Sequence, residues 1–477
     1  MNPAYKKIMQ ATTLFGGVQG LNILIGLVRT KLVAVLLGPT GVGLNSIYNE
    51  TRELVHSTTN LGLDVSGVRN ISIAYENDDP AELSRQIVVL RTWVLLLALL
   101  GTALTMLLAQ PLSYLTFQDA SHTWAYVLLS PAVGLSTVAC GELTVLKGIR
   151  RLRDVAMVSV LQVITGTCVS IPIYYVWGLG GIIAGLIAVY LSSMLVIMCY
   201  SYRCHAPRFD FSRSSLGVGV PLLKVGTAFM LTNLIDNLIQ LVIQSSLNGT
   251  SSIDTVGLYH SNTTITMTYL GVFIATLGND YFPRLSGVFA DVDGRRQLVR
   301  DHASFLMSIV SPALMAMLFA LPLLVPMLLS EKFVDVIPLT QLALPAMLFR
   351  TVHLPFTYTP LAAGDSRTFF VLNTIQAADV LLVIPGFIYG GLVGIGVVLV
   401  VTNLIDLLCA LFCAWYRYGV TMSCRTLVFF LVHSALLASG YFVAVMLQGT
   451  GYWCAAAAFV LASMAVSALQ LRTESCS

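Results

Sequence analysis

Five basic residues lie inside long apolar stretches of this chain: Arg29, Lys31, Arg52, Lys224 and Arg350. At the centre of a lipid-spanning helix an arginine or lysine costs roughly 2.5–3.5 kcal/mol on insertion scales. Such residues face a wet cavity or a partner, and they mark pathways. Guanidinium groups grip phosphate oxygens two at a time, so the chemistry that suits these positions is recognition of an anion, a diphosphate above all. Polar residues recur beside them at helical spacing. Gln19, Asn22, Gly26 and Arg29 share one face, as do Asn49, Arg52, His56 and Thr59. Asn233, Asp236, Asn237, Gln240 and Gln244 form a third stripe, His260, Thr264 and Thr268 a fourth, and Arg350, His353 and Thr357 a fifth. None of these stripes can face lipid. Amide and hydroxyl walls suit sugars, but they equally suit hydrogen bonds between helices. Both readings stay open for Asn22, Asn233 and Gln240. Lys31 and Lys224 also suit snorkelling to an interface. Among the acids, Glu53 lies three residues before His56, close enough to share a proton, and Asp236 is the deepest acid of the second half. Either fits a coupling site for a proton or sodium ion, or a counter-ion for a cavity arginine.

The elements that carry these residues follow from composition. The chain is 56% hydrophobic and 10% charged, where a soluble domain carries about 25% charged residues. It reads as an all-α polytopic membrane protein. A crossing helix needs about 20 apolar residues. Runs of that kind predict fourteen spans, numbered here in order: 11–37, 42–63, 88–111, 123–146, 155–176, 179–201, 221–246, 255–281, 303–328, 336–361, 368–389, 392–415, 426–447 and 452–470. The first run is itself a span, without the short core and cleavage site of a signal peptide. Of 26 basic residues, 20 fall on one side of these spans, Arg91 at the head of the third span counted among them, and Lys332 alone falls on the other. The basic side is cytoplasmic, which places both termini there.

A spacing of 214 recurs without drift. Val42-Gly43-Leu44 returns as Val256-Gly257-Leu258, and Leu128, Pro131 and Ala132 return as Leu342, Pro345 and Ala346. Arg153 returns as Arg367, Gln162 as Gln376, and Cys199, Tyr202 and Arg203 as Cys413, Tyr416 and Arg417. Residues 1–210 (spans 1–6) and 211–420 (spans 7–12) therefore read as two copies of one unit, with 421–477 (spans 13–14) added. Six spans per copy make the repeat parallel, an organisation found in transporters that rock one half against the other.

Other function classes are disfavoured. No phosphate-binding loop or metal-binding motif is present, and nothing suggests a nucleic-acid partner. The nine cysteines are scattered and read as packing residues. The predicted outer loops, such as 38–41 and 112–122, are too short for the catalytic domain of a polysaccharide polymerase or ligase. A net basic cavity argues against a MATE-like exporter of organic cations. Pro312, Pro322, Pro326, Pro345, Pro355 and Pro360 predict bent or broken ninth and tenth spans.

The run from Arg29 through Lys31, Gly38-Pro39-Thr40-Gly41 to Gly43 resembles the first helix and turn of Wzx-type oligosaccharide flippases. So do Leu146-Lys147-Gly148, Phe282-Pro283-Arg284-Leu285-Ser286 and Leu329-Ser330-Glu331-Lys332-Phe333, and the resemblance covers residues 8–418. These flippases belong to the MOP superfamily. The resemblance implies two six-helix lobes in a V around a cationic cavity. It implies transfer of an undecaprenyl-diphosphate-linked oligosaccharide, such as an O-antigen or capsule repeat unit, from the inner to the outer leaflet of the bacterial inner membrane. It further implies drive by an ion or potential gradient, no other cofactor, and membrane lipids and polysaccharide polymerase or ligase machinery as partners. Lys31 matches a basic position of the Wzx-type first helix, and Arg29 sits where lipid II flippases keep a cavity arginine. The helix pattern, rather than the resemblance, nominates Arg350 and His353. The expected substrate-binding set is thus Arg29, Lys31, Arg52, His56, His260, Arg350 and His353.

Overall fold

Lipid offers no partner to an exposed backbone group, so a chain this apolar must close its hydrogen bonds within helices. The structure, a computed structural model, describes residues 3–271 and 281–474, and their side chains except those of 3–16, 19, 224, 225, 228, 229, 232, 283, 366, 377–379 and 474. Gln19, Lys224 and Asp379 therefore lie outside the described side chains. No strand occurs among the described residues. Nine described helical stretches are long and apolar enough to cross a membrane.

Three of those stretches each hold two of the spans read from sequence, because the connection is too short to be a loop. Spans 1 and 2 form one run, Pro3–Asn60, broken at Gly38 (φ 66°, ψ −172°). Spans 11 and 12 are divided at Gly391 (φ 57°, ψ −145°) inside Val383–Tyr418. Both conformations are open in practice to glycine alone. The expected outer loop at 38–41 is thus a single-residue break. A helix not read from sequence, Leu63–Glu76, follows the second span. Span 3 starts earlier than expected, at Pro80, because Asp79 caps it by accepting the Ala81 and Glu82 N–H groups. The seventh span is Arg213–Thr250. The eighth is Ile253–Thr263 continued by a π-helical turn, Thr264–Leu270, with 272–280, including Asp280, outside the described residues. The prolines do not break their spans: Val292–Leu328 and Ile337–Ala362 are helical throughout.

The chain divides into two compact units, Met1–Gly257 and Leu258–Ser477. In the first, Leu63, Ile87, Leu90, Leu146 and Val158 form one apolar cluster and Tyr48, Tyr126, Leu129 and Tyr174 another. In the second, Leu314, Phe333, Leu344 and Phe356 are fully buried. The C-terminal helices Cys424–Met446 and Gly449–Glu474 pack on Val292–Leu328. A buried polar chain fastens them there. His433 bonds Ser311 at 2.8 Å and Gln470 at 3.2 Å, and the Gln470 amide reaches the Ser304 carbonyl at 3.1 Å.

The 214-residue spacing also appears in geometry. Thr123–Gly148 ends with Arg150 at φ 56°, and Ile337–Ala362 ends with Gly364 at φ 75°. At each, the last turn is closed by the same three backbone bonds: Ile149 to Val145, Arg150 to Lys147 and Arg151 to Leu146, against Ala363 to Thr359, Gly364 to Leu361 and Asp365 to Pro360. This is a left-handed helix stop that satisfies otherwise orphaned carbonyls. By contact, Arg213–Thr250 packs with the first unit, whereas the repeat counts it as the opening helix of the second copy.

Candidate substrate cavity

Within the first unit, the second half of Pro3–Asn60 runs antiparallel to Arg213–Thr250. Ser46 donates to Gln244 at 3.0 Å, and Asn237 donates to Ser57 at 3.2 Å. Glycines bring backbones together at both ends of this seam. At the end read as cytoplasmic, a Cβ on Gly62 would overlap the Gly226 carbonyl, and one on Gly226 would overlap that of Leu61. At the other end, a Cβ on Gly43 would overlap the Ile253 carbonyl, and one on Gly257 that of Pro39. Gly43 and Gly257 are repeat equivalents, and so are Pro39 and Ile253. The contact is therefore self-complementary about a local two-fold, as in an isologous interface. Thr40 adds a hydrogen bond to its own equivalent, Asp254, at 2.5 Å. Beside this end the loop before Thr123 is clasped: the His122 ring stacks on Phe117 with centroids 3.7 Å apart, and its Nδ1 lies 2.6 Å from the Tyr48 hydroxyl. Burial pushes the His122 imidazole below its ordinary value.

Between the two seals lies a cavity of about 350 Å³, lined among others by Glu53, His56, Asn60, Asp64, Asn233 and Asp236. The structure thus brings together Glu53, His56, Asn233 and Asp236 from the sequence-predicted set. It adds Asp64, which accepts a 3.3 Å bond from Asn60. No lysine or arginine lines this cavity among the described residues. Its wall is acidic, not basic as expected. Glu53 and His56 line the same cavity, and no hydrogen bond joins them among the described residues. The His56 Nδ1 bonds Thr137 at 2.9 Å, while the Thr137 hydroxyl is already donated to the Val133 carbonyl.

Arg52 explains where the positive charge has gone. Its side chain is 5% exposed and forms an ion pair with Glu53, which is 39% exposed. Its guanidinium lies 4.2 Å over the Tyr190 ring, and its Nε donates to Asn49 at 3.4 Å. The Tyr190 hydroxyl donates to the same Asn49 oxygen at 2.5 Å. Arg29 lies within electrostatic reach of Tyr174 and Tyr190, so both arginines converge on one tyrosine behind the cavity wall. Lys31 is half-buried. Asn22 keeps a buried Oδ1 with no hydrogen-bond partner among the described residues. Gln240 is half-buried and lies outside the cavity lining. In the second unit, Arg350 is exposed although Phe349, Thr351, Val352 and His353 around it are buried. His353 bonds Thr357 at 2.8 Å on the same helix, and His260 is half-buried.

Sequence reasoning counted Arg91 among the cytoplasmic surface charges, and the structure corrects this. Arg91 is buried and grips Glu142 with two bonds of 2.9 and 2.8 Å. It also reaches Ser201 and the carbonyls of His205 and Ala206. Among the described residues no group of three or more histidines, cysteines or carboxylates could hold a metal ion.

The sequence profile of the polysaccharide biosynthesis protein family matches residues 8–289, more than half of the chain. The chain belongs to that family. Two curated relatives, the lipid III flippases of Escherichia coli (strain K12) and Shigella flexneri, are each 25% identical to it over 406 residues, covering 82% of this chain and 95% of theirs. Among solved structures, this polysaccharide biosynthesis protein superposes on the lipid II flippase MurJ in an inward-closed conformation with a TM-score of 0.73. Identity there is 14%, with 96% of this chain and 98% of that one covered. An inward-facing multidrug resistance MATE transporter of the MOP superfamily matches with a TM-score of 0.65 and 15% identity, over 83% and 94%. The family member therefore has the all-helical MOP transporter fold and is a multi-pass membrane protein.

Proposed function

We propose that this protein is a flippase for a polyprenyl-diphosphate-linked glycan, moving it from the cytoplasmic to the outer leaflet of a bacterial inner membrane by alternating access. The observation that carries the reading is the kinship with lipid III flippases along almost the whole of their length. Arginines held within apolar spans supply a chemical reason, since a diphosphate is the part of such a substrate that lipid rejects most strongly. The reading includes fourteen spans, cytoplasmic termini, lobes at 1–210 and 211–420, and two added helices. The substrate is an O-antigen, capsule or similar repeat unit, and membrane lipids and a polymerase or ligase are the partners. Arg29, Lys31, Arg52, His56, His260, Arg350 and His353 bind it, with Glu53 or Asp236 taking a coupling proton or sodium ion. A 350 Å³ cavity falls near the lower end of small-molecule sites, about 300–1,000 Å³. A lipid-linked repeat unit therefore requires one of the two glycine seals to open.

The variants Arg29→Ala and Arg350→Ala are expected to reach the membrane folded but fail to support glycan export. Normal export by both overturns the assignment of these arginines. One observation favours a second reading, a MATE-like exporter of organic cations: the acidic lining of the described cavity. A gene deletion that sensitises cells to cationic drugs while leaving glycan export intact would establish it in place of the flippase.

A further inference from the structure

Apart from the substrate cavity, the first unit holds a second cavity of about 330 Å³ at the end read as cytoplasmic. Its walls are the start of Pro80–Leu107, with Ser84, Arg85 and Val88, and the connection into Arg213–Thr250, with Arg208, Asp210 and Ser214. Buried side chains hold that connection against the third span. The Arg91 guanidinium donates to the His205 and Ala206 carbonyls at 3.2 and 2.9 Å, and the Asp210 N–H donates to the Thr92 hydroxyl at 3.0 Å. Next to them, the Trp93 indole fills the space that a side chain on Gly219 would need. The connection is thus fixed level with residues 91–93, and this level gives a depth. The apolar run of the third span begins at 88. Ser84 and Arg85 precede it by three or four residues, about 5 Å along a helix. The headgroup layer beyond the hydrocarbon is about 5–8 Å thick.

Charge and apolar surface meet at that depth. Arg208 and the nearby Arg213 have no ion pair among the described residues. Arg85 meets Glu82 through one nitrogen at 3.5 Å, with the two side chains 55% and 38% exposed, and water weakens such a contact. The Asp210 carboxylate in the lining is engaged by the cap of the seventh span. It accepts the Ser212 N–H at 2.9 Å and the Ser212 hydroxyl at 3.0 Å, with the Ser215 hydroxyl a further donor. Between Arg208 and Arg213 stand Phe209 and Phe211, 45% and 54% exposed. Guanidinium groups and hydroxyls suit a phosphate, and exposed rings at the same level suit acyl chains. A soluble anion would satisfy the arginines but leave the rings in water.

We propose that this cavity binds the headgroup phosphate of an anionic phospholipid from the cytoplasmic leaflet. Arg85 and Arg208 grip the phosphate, Ser84 and Ser214 donate to it, and Phe209 and Phe211 lie against the acyl chains. The site is separate from the substrate cavity and does not rest on the flippase reading. A lipid seated there braces the connection between the first six spans and the seventh.

The test uses the full-length protein in detergent micelles and phosphatidylglycerol as the probe, with phosphatidylcholine for comparison. Native mass spectrometry counts the bound lipid. The wild type is expected to bind one phosphatidylglycerol in preference to phosphatidylcholine. R85Q/R208Q is expected to bind it roughly 10- to 30-fold more weakly. R69Q/R153Q removes two exposed arginines elsewhere on the end read as cytoplasmic and is expected to bind as the wild type does. S84A/S214A keeps every charge and is expected to weaken binding a few-fold, which covers the case in which R85Q/R208Q does not fold. Binding that is unchanged in both R85Q/R208Q and S84A/S214A overturns the site. Equal weakening in R69Q/R153Q and R85Q/R208Q overturns it too, since a diffuse positive field would then suffice. Inorganic phosphate that binds through Arg85 and Arg208, with no preference for phosphatidylglycerol over phosphatidylcholine, overturns the lipid as the occupant.

Discussion

Replacing Gly257 with alanine is expected to hold the outer seam open. The new methyl group would overlap the Pro39 carbonyl and lie 3.1 Å from the Gly43 nitrogen. Both are backbone atoms, so no rotamer change relieves the overlap, and the two segments must separate. Overpacking of this kind costs about 1–3 kcal/mol, and about 1.4 kcal/mol is a factor of ten. The closed population is therefore expected to fall about 5- to 150-fold relative to the open one. A cross-link reads this directly. In a background free of other cysteines, T40C and D254C replace a pair that touches at 2.5 Å, and oxidation should join them when the seam is shut. Adding G257A is expected to slow the cross-link at least fivefold and to reduce glycan export. G43A is expected to act alike, because it occupies the equivalent place. A G257A protein that cross-links at the parental rate and exports normally refutes the argument that these glycines set the seam.

Other consequences follow from buried polar groups. Arg91→Ala strands the Glu142 carboxylate, and breaking one side of a buried pair costs about 3–5 kcal/mol. A large fall in the melting temperature of the purified protein is expected, with recovery in the R91M/E142L double variant; an unchanged midpoint for R91A contradicts the burial argument. Since His122 is held below its ordinary value of 6.5, its contribution is complete above that value and is lost as pH falls beneath it. Labelling of a cysteine placed at Ser121 is expected to rise on acidification, and H122Q is expected to remove that dependence. His433→Leu leaves Ser311 and Gln470 without their shared partner, worth about 1–3 kcal/mol. Faster proteolysis at the 447–449 connection is the expected readout, and wild-type resistance there would deny the docking role of His433.

Much of the architecture was legible because lipid imposes it. Apolar runs of sufficient length must be helical, and even the polar second run and the start of the eighth are helical, within Pro3–Asn60 and Ile253–Thr263. The repeat also marked Gly43 and Gly257, but as signposts only. That they touch follows from three-dimensional packing that no linear spacing encodes. The site was less legible. Arg52 and Glu53 are adjacent, and neighbours on a helix diverge by about 100°, so the pattern gave no hint of their pairing. Arg91 and Glu142 lie 51 positions apart on different helices, and a basic residue near a helix start reads naturally as a surface charge. Asp64 was visible only as an acid, because the turn at Leu61-Gly62 that brings it to the cavity separates it from the second span. His433 sits in an apolar run with only Ser434 beside it, and its partners Ser311 and Gln470 lie far away in sequence.

The central claim is that this protein moves a lipid-linked glycan across the membrane, and leaflet accessibility tests it most directly. Cells lacking the gene are converted to spheroplasts and treated with an impermeant glycosidase or lectin that reads only the outer leaflet. The account predicts that the lipid-linked intermediate accumulates and stays shielded, and that restoring the gene exposes it. An intermediate that accumulates but is fully accessible in the deletion strain would contradict the account, since translocation would then proceed without this protein.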